Sequence, residues 1–256
     1  MPFYFDESIH ERGRFILGGY VYGPDPTPDV DTALRFVGLR PARDEFKSSA
    51  TMTDGPAQPT LRRELKKILA WTYRYAVLVH PFEHRSSLGR EALAGLAKIC
   101  RANGLTGGRQ TAYFDEGIFR TAAEANRLAA ELGLSGYCDI RVEQDSRIVR
   151  GLQLADLAAH TCATMLLETL GLVTKLVKAG PNSGYDPDLD IELGFELWAG
   201  LRYQFFNSGL PENVQSNEDM VVDVEPYGLH IAEGCSALLR QAALSRFGKQ
   251  YLGCIH

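Results

Sequence analysis

The chain has 256 residues, of which 45% are hydrophobic and 23% charged, and a formal net charge of -5. That length buries a sizeable core without covalent staples, and the composition lies far from the low-hydrophobicity, high-charge pattern of disordered chains. The negative total argues against a protein that coats nucleic acid through a general positive field, but not against a nucleic-acid enzyme, because bound cations and local basic segments offset acidic residues where phosphate approaches.

Phe3-Tyr4-Phe5 is a short aromatic run leading into Asp6-Glu7-Ser8, and the run from Phe15 to Tyr22 is bounded by glycine and proline. The two read as an antiparallel pair of strands. Three prolines between Pro24 and Pro28 force a loop, and a helix is expected over 29–38. Leu61, Leu65, Ile68 and Leu69 recur at helical spacing among Arg62, Arg63, Lys66 and Lys67, giving one apolar and one basic face, before a strand from Tyr73 to Val79. The same order then repeats. A helix with Leu93, Leu96, Ile99 and Cys100 stops near Asn103-Gly104, and Gln110 to Asp115 is a strand. A helix through Ala122, Ala125, Leu128 and Leu132 ends at Gly133, followed by a strand from Tyr137 to Val142 and a long helix from Gly151 to Leu170. Alternating helix and strand predicts an α/β fold, a sheet with helices packed on its faces.

After Gly171 the order changes to a helix over 190–206, a short strand over 220–224 and a helix over 234–247. The expected organisation is one domain over residues 1–170 and a mainly helical C-terminal extension over 171–256, packed on the same core or folded separately. The aromatic stripe Phe195, Trp198, Tyr203, Phe205 and Phe206 reads most simply as core, with a homodimer surface as the alternative. The start has no basic region followed by an apolar stretch, and nowhere do about 18 apolar residues run uninterrupted, so a cytoplasmic protein without a membrane partner is expected. The five cysteines, Cys100, Cys138, Cys162, Cys235 and Cys254, are widely spaced with no C-x-x-C, which favours buried thiols over zinc or disulfides.

Chemistry-bearing residues fall in four segments. Asp6 follows a buried aromatic strand, where a side chain at the strand end can point into a crevice; taken alone, it reads more simply as a polar turn. Asp44-Glu45-Phe46-Lys47-Ser48-Ser49 carries an acid and a base two residues apart, which share a side if the backbone is extended; taken alone, the segment reads as a solvated loop. Tyr113-Phe114-Asp115-Glu116 repeats the form of the first segment. Asp156, in Gly151-Leu152-Gln153-Leu154-Ala155-Asp156-Leu157, lies among apolar residues on one helix face. A buried unpaired carboxylate costs several kcal/mol, so Asp156 is expected to meet a cation, a donor or a metal, with a structural Asp satisfied near the helix start as the alternative.

Taken in order, F-Y-F-D-E-S, E-F-K-S-S, a strand ending in F-D-E, and D-S followed by G-L-Q-L-A-D-L-A resemble the family called domain of unknown function 3800, within the ribonuclease-H-like superfamily. The resemblance spans roughly residues 3 to 165. It implies a ribonuclease-H-like mixed sheet flanked by helices, its first strands antiparallel, with Asp6, Glu45, Asp115 and Asp156 converging as metal ligands. It also implies magnesium or manganese as cofactor, two ions about 4 Å apart that activate a water and stabilise the leaving oxygen of a phosphodiester. Carboxylates suit such hard ions. The sequence departs from the family pattern after Ser8, where Ile9 stands in place of an expected glycine.

Lys47 joins the candidate catalytic set, either neutralising a phosphate or pairing with a carboxylate. The cations Arg62, Arg63, Lys66 and Lys67 either contact a nucleic-acid backbone or, more simply, form a solvated helix face. His160 lies one helical turn after Asp156 and reads as an ordinary packed histidine rather than a proton shuttle. No P-loop or G-x-G-x-x-G follows a strand. The leading expectation is a metal-dependent nuclease acting on DNA or RNA; the alternative is a non-catalytic module that binds nucleic acid or protein on the same fold.

Overall fold

The structure, a computed structural model, describes residues 1–50, 57–180 and 185–254. In chain order they form β1 (Pro2–His10), β2 (Phe15–Tyr22), α1 (Thr27–Phe36), α2 (Ala57–Thr72), β3 (Arg74–Pro81), α3 (Leu88–Ala102), β4 (Gln110–Asp115), α4 (Ala122–Glu131), β5 (Cys138–Gln144) and α5 (Gly151–Thr169). Then follow β6 (Leu176–Lys178), β7 (Asp190–Glu192), α6 (Leu193–Leu201), β8 (Val221–Asp223), β9 (Leu229–Ile231), α7 (Ala237–Phe247) and β10 (Lys249–Tyr251).

Six strands make one mixed sheet in the order β5-β4-β1-β2-β3-β9. The first three in sequence run antiparallel, Phe3 opposite Tyr22 and Phe15 opposite Pro81, while β4 lies parallel to β1 and β5 parallel to β4. Side chains alternate across the sheet and so feed two separate cores. Tyr4, Leu17, Val21 and Val77 pack with α1, α2 and α5 on one face; Phe3, Phe5, Tyr20 and Ala112 pack with α3 and α4 on the other. Strand β2 is buried along its whole length, which explains why its sequence is an apolar run rather than an alternation.

Helix α5 lies unusually close to the sheet, and the reason is local. A Cβ at Gly19 would stand 2.8 Å from the Ala159 nitrogen and 2.9 Å from the Ala155 oxygen, so the missing side chain is what admits the helix backbone. At the start of α5, Gly151 lies against the Tyr4 ring, itself stacked on Tyr113 at 5.6 Å. Asp6 is the residue paired with Gly19 across β1 and β2. The close approach that Gly19 permits therefore brings the turn of α5 holding Asp156 over Asp6.

Several expectations need correction. Strand β1 does not stop at Asp6; it continues four residues to His10, paired with β2 throughout. The neighbour β4 ends at Asp115, so the crevice beside Asp6 opens because the adjacent strand stops there. The segment from Asp44 to Ser49, by contrast, is the loop that its polar sequence implies. The helix expected over 190–206 is cut to Leu193–Leu201 by β7 before it and by a 3-10 turn after it. The stretch from residue 171 onward is not mainly helical: besides α6 and α7 it holds five three-residue strands among the described residues. One of them, β9, extends the main sheet parallel to β3, and α6 and α7 lie against α5. Phe205 and Phe206 are buried in the chain's own core, Phe205 tilted against Tyr75 at 4.3 Å, whereas Tyr203 is partly exposed. Cys100, Cys138, Cys162 and Cys235 are free and buried; Cys254 is exposed. No helix among the described residues is long and apolar enough to cross a membrane.

Candidate functional site

Asp6 and Asp115 stand on neighbouring parallel strands, one step beyond the last paired positions, Phe5 and Phe114. Asp156 comes down on them from α5. Asp6 and Asp156 are each 8% exposed, and Asp115 beside them is half-buried. The Asp6 carboxyl is pushed well above the ordinary carboxylate range, first by burial and then by the charges of Asp156, Asp115 and Glu7. Its main relief is a hydrogen bond from the Glu7 amide at 2.7 Å. Asp115 and Asp156 are raised as well, burial leading in both.

Asp156 is better supported. It accepts hydrogen bonds from the Ser48 amide at 2.7 Å and from the Ser48 hydroxyl. Those bonds fasten the loop to α5, and a second pair of contacts does the same one turn earlier. The Phe46 amide donates to Gln153 Oε1 at 2.9 Å, while Gln153 Nε2 donates to the Ser146 carbonyl at 2.9 Å. Upstream, Arg150 is 5% exposed and forms an ion pair with Asp31 at 2.6 Å, and it donates to the Pro41 carbonyl at 2.7 Å. Breaking such a buried pair from one side costs about 3–5 kcal/mol. The loop is thus anchored on both sides of the residues that face the carboxylates.

Of the four acids expected to converge, Asp6, Asp115 and Asp156 meet; Glu45 stands at the rim. Glu45 accepts from the Ser146 hydroxyl and pairs with Lys47 Nζ at 3.6 Å. Burial works against the Lys47 charge, yet Glu45, Asp115, Asp6 and Asp156 together outweigh it and hold the amine more strongly protonated than usual. Lys47 is the cation that links Glu45 to the other three.

Four residues in this region were not expected as functional. Glu7 feels Asp115, and burial pushes its carboxyl up to about 7; its position next to Asp6 in D-E-S was the available signal. Gln153 sits three residues before Asp156 on the same helix face, a spacing that marked it. Ser48 lies in the E-F-K-S-S segment itself. Arg62, expected on a solvated face, instead donates to the Ser48 carbonyl at 3.0 Å, lies over the Phe46 ring and acts electrostatically on Asp156. One turn further along α5, His160 faces His10 at the end of β1, with 6.5 Å between ring centroids. Burial, Arg62 and His10 drive the His160 imidazole down to about 4, so it is neutral at physiological pH.

The donor chemistry suits a hard divalent ion. The acids present only oxygens, and burial holds them above their ordinary pKa values against one another, a cost that a divalent cation would offset. As the structure stands, no group of three or more His, Cys, Asp or Glu among the described residues is arranged to hold a metal ion. The fit is therefore one of charge and donor type, and side-chain rotation would have to complete it.

No family model matches the chain, and no curated protein does. Among solved structures, one similar chain belongs to the PCNA:RNase HII complex from Archaeoglobus fulgidus. It is 19% identical, with 73% of this chain and 82% of that chain covered, at a TM-score of 0.36. A likeness of that degree carries no argument about fold or activity.

Proposed function

We propose that this protein is a metal-dependent phosphodiester hydrolase, a nuclease, on a ribonuclease-H-like sheet of the kind found in the family called domain of unknown function 3800. The observation that carries the reading is the meeting of buried Asp6 and Asp156 with half-buried Asp115, drawn from two parallel strands and from the helix that crosses them. Core packing does not call for three acids together, where burial and then Asp156 and Asp115 push the Asp6 carboxyl up and Asp156 adds to the rise of Asp115. The mixed sheet with antiparallel first strands and the order of the four sequence motifs support the same reading.

In this account Asp6, Asp115 and Asp156 would hold two ions, magnesium or manganese, and Glu45 would complete the set from the rim. Such ions, when bound, supply an activated water and neutralise charge on the phosphate and the leaving oxygen. The chain's own residues do the positioning. Ser48 fixes the Asp156 carboxylate through two hydrogen bonds, so one ligand is preorganised. Lys47 keeps a full positive charge at the mouth and meets a non-bridging phosphate oxygen once the carboxylates are otherwise compensated. Gln153 and Arg150 hold the loop that carries both.

The test is cleavage of single-stranded and duplex DNA and RNA with manganese, by wild type, Asp6→Asn and Asp115→Asn. The wild type cuts at least one polymer and both variants are inactive; full activity in both variants would sink the reading. One observation favours a second reading, a binding module without catalysis: Lys47 and Ser48 already compensate part of the acidic charge without any metal. Metal-independent binding with no cleavage of any polymer would decide for it.

A further inference from the structure

Helix α2 carries Arg62, Arg63, Lys66 and Lys67 against the single acid Glu64, in a chain whose total charge is -5. Arg63, Lys67 and Trp71 recur every four residues and so form one stripe along the helix. All three are exposed, and Trp71, at 85%, is the most exposed large hydrophobic side chain among the described residues. An indole left in water on a helix that has buried Leu61, Leu65 and Leu69 contributes nothing to the core. Phe36 of α1, 72% exposed, borders a groove that Lys67 also lines, and on its other side Lys67 lines a groove running past Trp71.

The stripe also has a direction. It starts beside Arg62, which reaches the Ser48 carbonyl and so the loop around the carboxylates. From Arg63 to Trp71 it extends about 12 Å at 1.5 Å per residue. Lys67, an exposed residue of the stripe, pairs with Glu64 at 2.8 Å, and such surface contacts exchange readily for phosphate, whereas the more buried Lys66 pairs with Glu196 at 3.7 Å and lies off the stripe.

We propose that this face of α2 is the track by which a single-stranded polynucleotide reaches the carboxylate site, with phosphates on Arg63 and Lys67 and a base stacked on Trp71. The cations alone would suit any polyanion; the exposed rings are what select an unpaired strand, because duplex bases are already stacked on one another and offer a side chain only their edges. The destination of the track rests on the nuclease reading, whereas the contact itself does not.

The experiment measures fluorescence anisotropy of labelled oligothymidylate and oligouridylate with Asp115→Asn protein in EDTA, so that nothing is cut. Adding Trp71→Ala should weaken binding by about fivefold to a hundredfold, the range for loss of one base–aromatic stack. Trp71→Phe should retain most of the affinity, and a duplex of equal length should respond far less. Adding Arg63→Glu and Lys67→Glu should flatten the salt dependence. Because Trp71 is on the surface, its replacement leaves the core untouched, which a circular dichroism melt checks. A preference between the two oligomers assigns DNA or RNA. Unchanged affinity in Trp71→Ala overturns the proposal, and so does absence of binding to either strand, which would give the face to a protein partner. Wild-type cleavage with manganese is scored separately. Cleavage with an unaltered KM in Trp71→Ala would remove the track and keep the nuclease, whereas Trp71-dependent binding without any cleavage would do the reverse.

Discussion

Replacing Glu7 with glutamine should make the metal-free protein more stable, and by an amount that depends on pH. In the folded protein burial and the neighbouring Asp115 push the Glu7 carboxyl up to about 7 from an ordinary 4.5. Between those values the native state holds a proton that the unfolded chain has released, so wild-type stability falls as pH rises through that window and the full penalty is reached above it. At about 1.4 kcal/mol per pH unit the penalty is about 3 kcal/mol at pH 8 and under about 1 kcal/mol at pH 5. Glutamine keeps the shape and has no charge to bury. Urea unfolding in EDTA should therefore show Glu7→Gln gaining about 2.5 kcal/mol on the wild type between pH 5 and pH 8. Parallel pH profiles for the two proteins would refute the reasoning, and so would a variant less stable than wild type at pH 8.

Further predictions come from the other residues around the site. Asp6→Asn and Asp115→Asn should each keep or raise the thermal midpoint in EDTA, because each relieves the repulsion that Asp115 and Asp156 exert on buried Asp6 or that Asp156 exerts on Asp115; a fall of several degrees in calorimetry would contradict this. Ser48→Ala removes the hydroxyl bond to Asp156 but keeps the amide bond. It should cost about 1–2 kcal/mol in denaturant unfolding and weaken manganese affinity more than maximal turnover. Gly19→Ala drives a methyl into the backbone of α5 at Ala155 and Ala159. A loss of about 1–3 kcal/mol is expected, with reduced cleavage because Asp156 moves away from Asp6; full activity would show that the site does not depend on this close approach.

Much of the chain could be read because its elements are long and periodic. Helices α2, α3, α4 and α5 and strands β2, β3 and β4 follow apolar patterns that survive without knowledge of their neighbours. The three-residue strands after residue 171 are too short to show any period, and β9 exists because β3 offers it an edge. At the site, the acids were visible as aromatic runs ending in carboxylates and as one acid inside an apolar helix. Their partners were hidden for a different reason. Ser48 and Gln153 matter through hydrogen bonds across more than a hundred residues of sequence, and Arg62 belongs to a helix face that local charge patterning assigns to solvent. Glu45 shows the converse: its segment was recognisable, yet an irregular loop turns it toward Ser146 and Lys47.

The most direct test of the central claim is calorimetric titration of manganese into the wild type and into Asp6→Asn, with DNA and RNA cleavage assayed on the same preparations. If the buried acids form a catalytic metal centre, the wild type binds manganese and cleaves, and both properties vanish together in the variant. Manganese binding that is absent from the wild type, or identical in the two proteins, would contradict the claim and leave the acids as a cluster compensated by Lys47, Arg62, Ser48 and the Glu7 amide.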